Sequence, residues 1–516
     1  MTRRALELGT ITALALGAML AAMPAPVAGR SLSLNEAIEM SLRRNEGLVI
    51  DRESLASAKA AVRRAHGAYD PVLEGQGGWS RSTEPTVLYG SPLGVIAPEV
   101  ETGDAAVSLR QLLPTGGALS LHAQGSRETV GEGLAFLSPA YRTQVGAQLR
   151  QPLLRDRNTD AARLSVRVAR AGRAGAAASL RRSVSETVAS VERAYWTLTE
   201  ARLEVGVRQE AVDLAQSQLD ETGHRVDIGE APKTELAQPR AELERRRGDL
   251  FAAREALARA ENALKLLILD GADDALWSED LAPVETDDPE PAPVDVARAL
   301  DHAFAQRPEL DVAESVIERR RAEASYYQDG IWPRLDAVLR YDRFGLSGLA
   351  GSGGTLPPEL DGRWDRSFDS LERGGYHAAR VGVELQLPIL NREARGNAAI
   401  ARHAERQAAA DAGRIKKQIR AEVLDATAAV ETAGQRIEAA RSGREAAEVQ
   451  LAAERDRYDA GLSTNFLILT RQNDLSRARL DEISALTDYR TARTELARAT
   501  GQLIEDRGIQ LDDSSR

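Results

Sequence analysis

Residues 145–152, VGAQLRQP, alternate: Val145, Ala147 and Leu149 are apolar, while Gln148 and Arg150 between them are polar. A period of two is the pattern of a strand with one dry face. The alternation stops after Arg155, and a run rich in Ala, Arg and Leu continues without proline to about Arg225. Its apolar positions Leu180, Val184, Val188, Val191, Tyr195 and Leu198 are spaced 4, 4, 3, 4 and 3. That spacing makes a narrow coiled-coil seam rather than the broad stripe of a globular helix. A helix of about 66 residues reaches on the order of 100 Å. A short two-faced strand therefore feeds directly into a very long helix.

The alternation recurs. Leu73, Gly75, Gly77 and Trp79 interleave with Glu74, Gln76, Gly78 and Ser80; Leu335, Ala337, Leu339 and Tyr341 with Asp336, Val338, Arg340 and Asp342. Val381, Val383, Leu385 and Leu387 interleave with Gly382, Glu384, Gln386 and Pro388. On strand pattern alone, a membrane β-barrel with a polar lumen and an ordinary antiparallel sheet with one wet face fit equally well. Trp79 and Tyr341 suit an aromatic girdle, and Pro152 and Pro388 close strands where a missing N–H is tolerated.

These segments come in two copies. LNEAIEMSLRRNEGL (34–48) aligns with VARALDHAFAQRPEL (296–310), and Pro71, Leu73, Trp79 and Arg81 align with Pro333, Leu335, Tyr341 and Arg343. VGAQLRQPLL aligns with VGVELQLPIL, and RVDIGEAPKTEL with RYDAGLSTNFLI, placing Gly229 on Gly461. Four matches in one order define two tandem repeats, 30–290 and 291–505, with a tail at 506–516. The seam LAPVETDDPEPAPVD reads as a connecting segment. Each repeat reads as opening helix (31–69, 293–329), strands, longest helix (158–225, 392–458), turn and second long helix. The first copy carries 26 extra residues, including AAVSLRQLLPTGGALSLHAQ. Residues 105–127 read as an additional hairpin or as an ordered external loop, giving six or four strands per chain.

Composition narrows the function. Aromatic residues are 4% of the 516 and charged residues 28%, as in long helices and coiled coils. The net charge of −11 argues against a nucleic-acid partner. No cysteine is present, which excludes a disulfide framework, a thiolate metal site and a lipidated N-terminal Cys. Residues 1–29 read as an export signal: Arg3 and Arg4, an apolar run from Leu8 to Ala22, then small residues before cleavage. That run falls short of the roughly 20 residues a spanning helix needs. Export without a spanning helix tips the strands toward a barrel.

Catalysis finds no support. His66, His122, His224, His302, His377 and His403 are scattered with no HExxH, and no GxxxxGK[ST] loop occurs. GLSGLAGSGG misses the GxSxG spacing at both Ser347 and Ser352, and reads as a flexible external loop. No catalytic residue, metal site or cofactor is expected.

The layout resembles the TolC-like outer-membrane efflux channels (outer membrane factors). The resemblance rests on SLSLNEAIEMSLRRNEGL, RQPLL at the strand–helix joint, VERAYWTLTEAR in the long helix, and the paired turns RVDIG and RYDAG. It implies a mixed α/β, mainly α, membrane protein: a homotrimer whose shared β-barrel in the outer membrane continues as a coiled-coil tunnel into the periplasm. Function by resemblance is passive export, with a periplasmic adaptor (membrane fusion) protein and an inner-membrane transporter of RND, ABC or similar type as partners beside outer-membrane lipid. The docking turns would be Arg225, Val226 and Gly229, with Arg457, Tyr458 and Gly461. The family's periplasmic gate falls on Glu235, Tyr458, Ser463, Leu467 and Thr470. Tyr458 and Glu235 match a linking tyrosine and carboxylate, Ser463 replaces a linking arginine, and Leu467 and Thr470 replace aspartates. The competing readings are a periplasmic coiled-coil adaptor or scaffold without a barrel, and a simple diffusion porin.

Overall fold

The computed structural model describes residues 30–87, 95–131, 135–284, 290–351 and 355–510. The expected export signal, residues 285–289 of the seam, Ser352 and residues 511–516 of the tail lie outside them. The first half runs β1 (Arg30–Leu32), α1 (Leu34–Arg44), α2 (Glu46–His66), β2 (Val72–Thr83), the short pair β3 (Thr86–Val87) and β4 (Val95–Ile96), then β5 (Glu99–Leu112), β6 (Ala118–Val130), β7 (Leu137–Pro152), α3 (Ala161–Asp227) and α4 (Ala237–Ile268). After β8 (Leu281–Pro283) in the connecting seam, the second half runs α5 (Val296–Gln306), α6 (Pro308–Asp329), β9 (Arg334–Ala350), α7 (Trp364–Arg373), β10 (His377–Gln386), α8 (Arg392–Asp459), α9 (Asn465–Thr500) and α10 (Leu503–Asp506). Among the described residues no helix is long and apolar enough to cross a membrane.

Each opening helix is in fact two. Asn45 stops α1, and its side chain accepts from Leu48 N at 3.3 Å to cap α2. In the second copy Pro308 occupies the first position of α6, where its missing N–H costs nothing.

The long helices follow the seam. Val184, Val188, Val191, Tyr195 and Leu198 are buried together with Leu264 and Ile268 of α4, and Leu180 packs at the edge of that cluster. Each such aliphatic burial contributes roughly 1.5–3 kcal/mol. The seam segment is more than a connector, because Leu281–Pro283 pairs in parallel with Arg30–Leu32. Tyr195 locks this pair: its hydroxyl donates to Leu32 O at 3.0 Å and accepts from Val284 N at 3.1 Å. Smaller clusters join α8 to α5 and α9 through Ile419, Val423, Val430, Ile437 and Tyr489.

One six-stranded antiparallel sheet has the order β10-β9-β7-β6-β5-β2. Residues 105–127 resolve as the strands β5 and β6 around a turn at Leu113–Gly117, where Leu113 N bonds Gly117 O at 2.7 Å. The register keeps faces apart across all six strands: Leu73, Leu109, Leu121, Ala147, Tyr341 and Ala379 share one row. The stretch read as a flexible external loop is partly strand, since β9 continues through Ala350 and Ser347 is fully buried. The reason is α7, which folds back over the small residues Gly125, Thr143 and Gly345. Thr143 Oγ1 lies 3.1 Å from Ser367 O, and Trp364 meets Tyr141 edge-on at 5.1 Å.

Candidate functional site

Two regions stand out: the two-faced sheet that leads into α3 and α8, and the helical turns at the far ends of those helices. On the face that includes the Leu73 row, Leu73 is 71% exposed and Val381 81%, with Val383, Leu385 and Trp79 also exposed. A contiguous apolar surface of this kind marks contact with lipid or protein.

The opposite face is polar and internally paired. Asp342, 4% exposed, takes Arg340 Nε at 2.6 Å, Gln144 Nε2 at 2.9 Å and His122 Nε2 at 2.8 Å. These partners come from β9, β7 and β6, so one carboxylate ties three strands from both halves. Arg150 on β7 bridges Asp336 at 3.2 Å and Glu384 at 2.6 Å, reaching across β9 to β10. The alternation placed these residues on a wet face; the closed pairing depends on strand order, which periodicity does not specify.

Trp79 and Tyr341 are both exposed on the apolar face but do not share a row. Trp79 aligns through Gly103, Arg127 and Tyr141 with Ser347, six residues beyond Tyr341. Tyr341 stacks on His377 with ring centroids 6.1 Å apart. At the joints, Pro152 is the buried last residue of β7, whereas Pro388 lies past the end of β10, exposed, in the link to α8. Asp160 caps α3 by accepting from Arg163 N at 2.7 Å. In the same link, burial raises the Asp156 carboxyl above its usual range, against the pull of Arg155 and Arg334.

At the far end both helical turns adopt the same cap. Gly229 has φ +81° and Gly461 φ +74°, left-handed values that only glycine enters cheaply. Glu230 N bonds Arg225 O and Leu462 N bonds Arg457 O, each at 2.8 Å. These are the long bonds of a Schellman motif. Arg225 Nη1 donates to Tyr458 Oη at 2.9 Å and so ties the first turn to the second. Tyr458 therefore meets Arg225 within the chain, and accepting leaves its own proton free to donate. Glu235 is exposed in the single turn Lys233–Leu236. Ser463 donates to the buried Glu454 carboxylate, which also faces Arg457. Leu467 is exposed, Thr470 donates to Phe466 O at 2.8 Å, and Val226 is half-buried.

Sequence reasoning missed the apolar tips. Ile228 is 69% exposed and Leu462 80%, and Phe466 is exposed as well. The signal was present: an aliphatic residue flanks the glycine in each turn, where a solvated cap needs none. Among the described residues no group of His, Asp or Glu is arranged to hold a metal ion.

Comparison with known proteins fits this geometry. Residues 299–502 match the family model described as outer membrane efflux protein. The outer membrane efflux protein BepC of Brucella suis biovar 1 (strain 1330) is 24% identical over 376 residues, 72% of this chain and 75% of BepC. The Campylobacter jejuni CmeC outer membrane channel superposes with TM-score 0.63 at 17% identity, covering 94% of this chain and 90% of CmeC. VceC of Vibrio cholerae gives 0.61 at 17% identity, covering 91% and 96%. The chain thus carries the outer membrane efflux protein pattern in its second half and shares the fold of these solved outer-membrane proteins along its length.

Proposed function

We propose that the protein is the outer-membrane duct of a tripartite exporter, a passive channel and not an enzyme. The observation that carries this reading is the two-faced sheet, apolar on one face and ion-paired on the other, passing directly into two long helices, each of about 100 Å. The unpaired edges of β2 and β10 are the places where a second copy would add. Three copies would close one barrel, and α3, α4, α8 and α9 would build the tunnel wall. The chain is read as two tandem repeats, 30–290 and 291–505, behind a cleaved signal.

The turns around Gly229 and Gly461 would dock a periplasmic adaptor, with Ile228, Leu462 and Phe466 supplying apolar contact beside Arg225, Val226, Arg457 and Tyr458. An RND, ABC or similar inner-membrane transporter would supply energy. A barrel-free adaptor has no use for a sheet face whose Leu73 and Val381 stand exposed. Alkaline extraction separates the readings: the duct stays in the membrane until detergent is added, and release by alkali would overturn it. A detergent-solubilised monomer would refute the trimer.

The gate is read as neutral and partly apolar, with Leu467 and Thr470 at the constriction and a Glu235–Tyr458 link across it. In planar bilayers, divalent cations should then block the periplasmic entrance poorly, and Glu235→Ala should raise closed-state conductance. Tight block would assign the ring to acids such as Asp227, Glu230 or Asp459.

A further inference from the structure

We infer that neighbouring copies join in one register, β10 of each beside β2 of the next, with Gln386 opposite the partner's Glu74 and Arg380 opposite the partner's Ser80. The inference rests on the trimer proposed above and adds the residues that would hold its seam.

The two edges are prepared for each other. β2 is exposed along all 12 of its residues, and β10 along its 10 apart from half-buried Gly382. The sheet is antiparallel throughout its six strands, so β10 and an incoming β2 also run antiparallel.

The slope of the sheet limits how far these strands can slide. One row of direct partners runs Val72, Arg110, Ser120, Gln148, Arg340 and Arg380. It starts on the first residue of β2 and ends six residues before Gln386, the last of β10. The row therefore climbs along the width of the sheet, as it does across the staves of a tilted barrel. Six strands at ~4.8 Å spacing, with ~3.3 Å rise and a tilt of roughly 35–45°, need a shift of about 6–9 residues per copy. A shift in the other direction would carry β2 past the start of β10 and leave nothing to pair. A slip of one residue exchanges the faces, so only even shifts keep polar beside polar. Two registers remain: the partner's Val72 opposite Gln386, a shift of six, or opposite Pro388, a shift of eight.

Charge separates them. The shift of six sets the partner's Glu74 directly opposite Glu384, where like charges repel. The shift of eight places Gln386 opposite the partner's Glu74, and Glu384 opposite the partner's Gln76. Each carboxylate then faces an amide that can donate to it. On the apolar face the same shift brings the partner's Trp79 beside Val381, both exposed in the single chain. Every residue of β10 gains a partner, from His377 opposite the partner's Thr83 to Gln386.

Native mass in detergent checks the trimer first; a monomer would overturn that reading and the seam with it. In a trimer, engineered disulfides report the register cleanly, because the chain has no cysteine of its own. Ser80→Cys combined with Arg380→Cys should give linked dimers and trimers on mild oxidation with copper phenanthroline, and reductant should collapse them to monomers. Direct cross-strand partners lie ~5 Å apart between Cβ atoms and diagonal ones ~7–8 Å, beyond the reach of a disulfide. Ser80→Cys combined with Ala378→Cys, the pair for a shift of six, or with Gly382→Cys should therefore link far less. Preferential linkage through Ala378→Cys or Gly382→Cys, or no linkage by any pair in an intact trimer, would overturn the register while leaving the trimer standing. Should a cysteine pair prevent assembly, cryo-electron microscopy of the unmodified trimer reads the register directly, and any residue other than Arg380 opposite the partner's Ser80 overturns it.

Discussion

α3 spans 67 residues and α8 spans 68, whereas the first half of the chain gives four strands to the large sheet and the second half two. The halves are thus held alike in helix length and allowed to differ in strand number. Two helical hairpins that lie side by side, with tips bonded through Arg225 and Tyr458, must end at one level. A longer helix in one half alone would break that bond. A sheet meets no such limit, because a hairpin inserted between two antiparallel strands preserves every alternation around it. The second half departs in its own way: β10 is only 10 residues long, and α7 covers the upper part of β9 instead.

The largest disruption of this comparison should come where the halves meet, between β7 and β9. Asp342→Ala leaves Arg340, Gln144 and His122 without their shared acceptor. With Arg340 half exposed, a cost of about 3 kcal/mol is expected, at the low end for a broken buried pair. The readout is a lower denaturant midpoint and loss of heat-resistant migration on gels.

A smaller effect should separate two glycines on the same sheet face. A Cβ at Gly345 would collide with the Ser367 carbonyl under α7, while Gly75 faces open space. Gly345→Val should cost about 1–3 kcal/mol, as overpacking does. Protease cleavage within α7 should rise with it. Gly75→Val should leave both stability and cleavage unchanged; equal effects would mean that α7 does not rest on the sheet.

At the tips the two halves should respond alike. Gly229→Val and Gly461→Val meet no neighbouring atoms, so each should cost about 1–2 kcal/mol through the backbone alone. Barrel assembly should survive while export resistance falls. Resistance unchanged in the double variant, at equal membrane levels, would remove the docking role.

The smallest expected effect tests the link between tips. Tyr458→Phe deletes the acceptor of Arg225 and should cost about 0.5–1.5 kcal/mol. A rise in closed-state conductance should accompany it. The same rise in Arg225→Ala would assign the effect to this bond; a rise in Tyr458→Phe alone would point to the hydroxyl's own proton and Glu235.

The tip glycines were legible because both turns end a long periodic run in the same way, and a helix that must reverse needs a left-handed residue. The strand faces were legible from Leu335, Ala337, Leu339 and Tyr341, since one wet face imposes a period of two. The helix breaks at Asn45 and Arg307 were overlooked although their signals, a capping asparagine and Pro308, stand in the sequence, because the apolar pattern runs on through them. The partner of Tyr458 was not legible: Arg225 is 233 residues away, and only the packing of two hairpins brings it within reach.

The sequence by itself determined the local elements, the duplicated order and the dry and wet faces, because these depend on residues a few positions apart. Only the tertiary structure decided that β5 and β6 stand within the large sheet, that GLSGLA continues β9 beneath α7, and that Asp342 gathers three strands. Each depends on which strand lies beside which. Side-chain period constrains the face a residue takes, but strand order is chosen by the closure of backbone hydrogen bonds across the whole sheet.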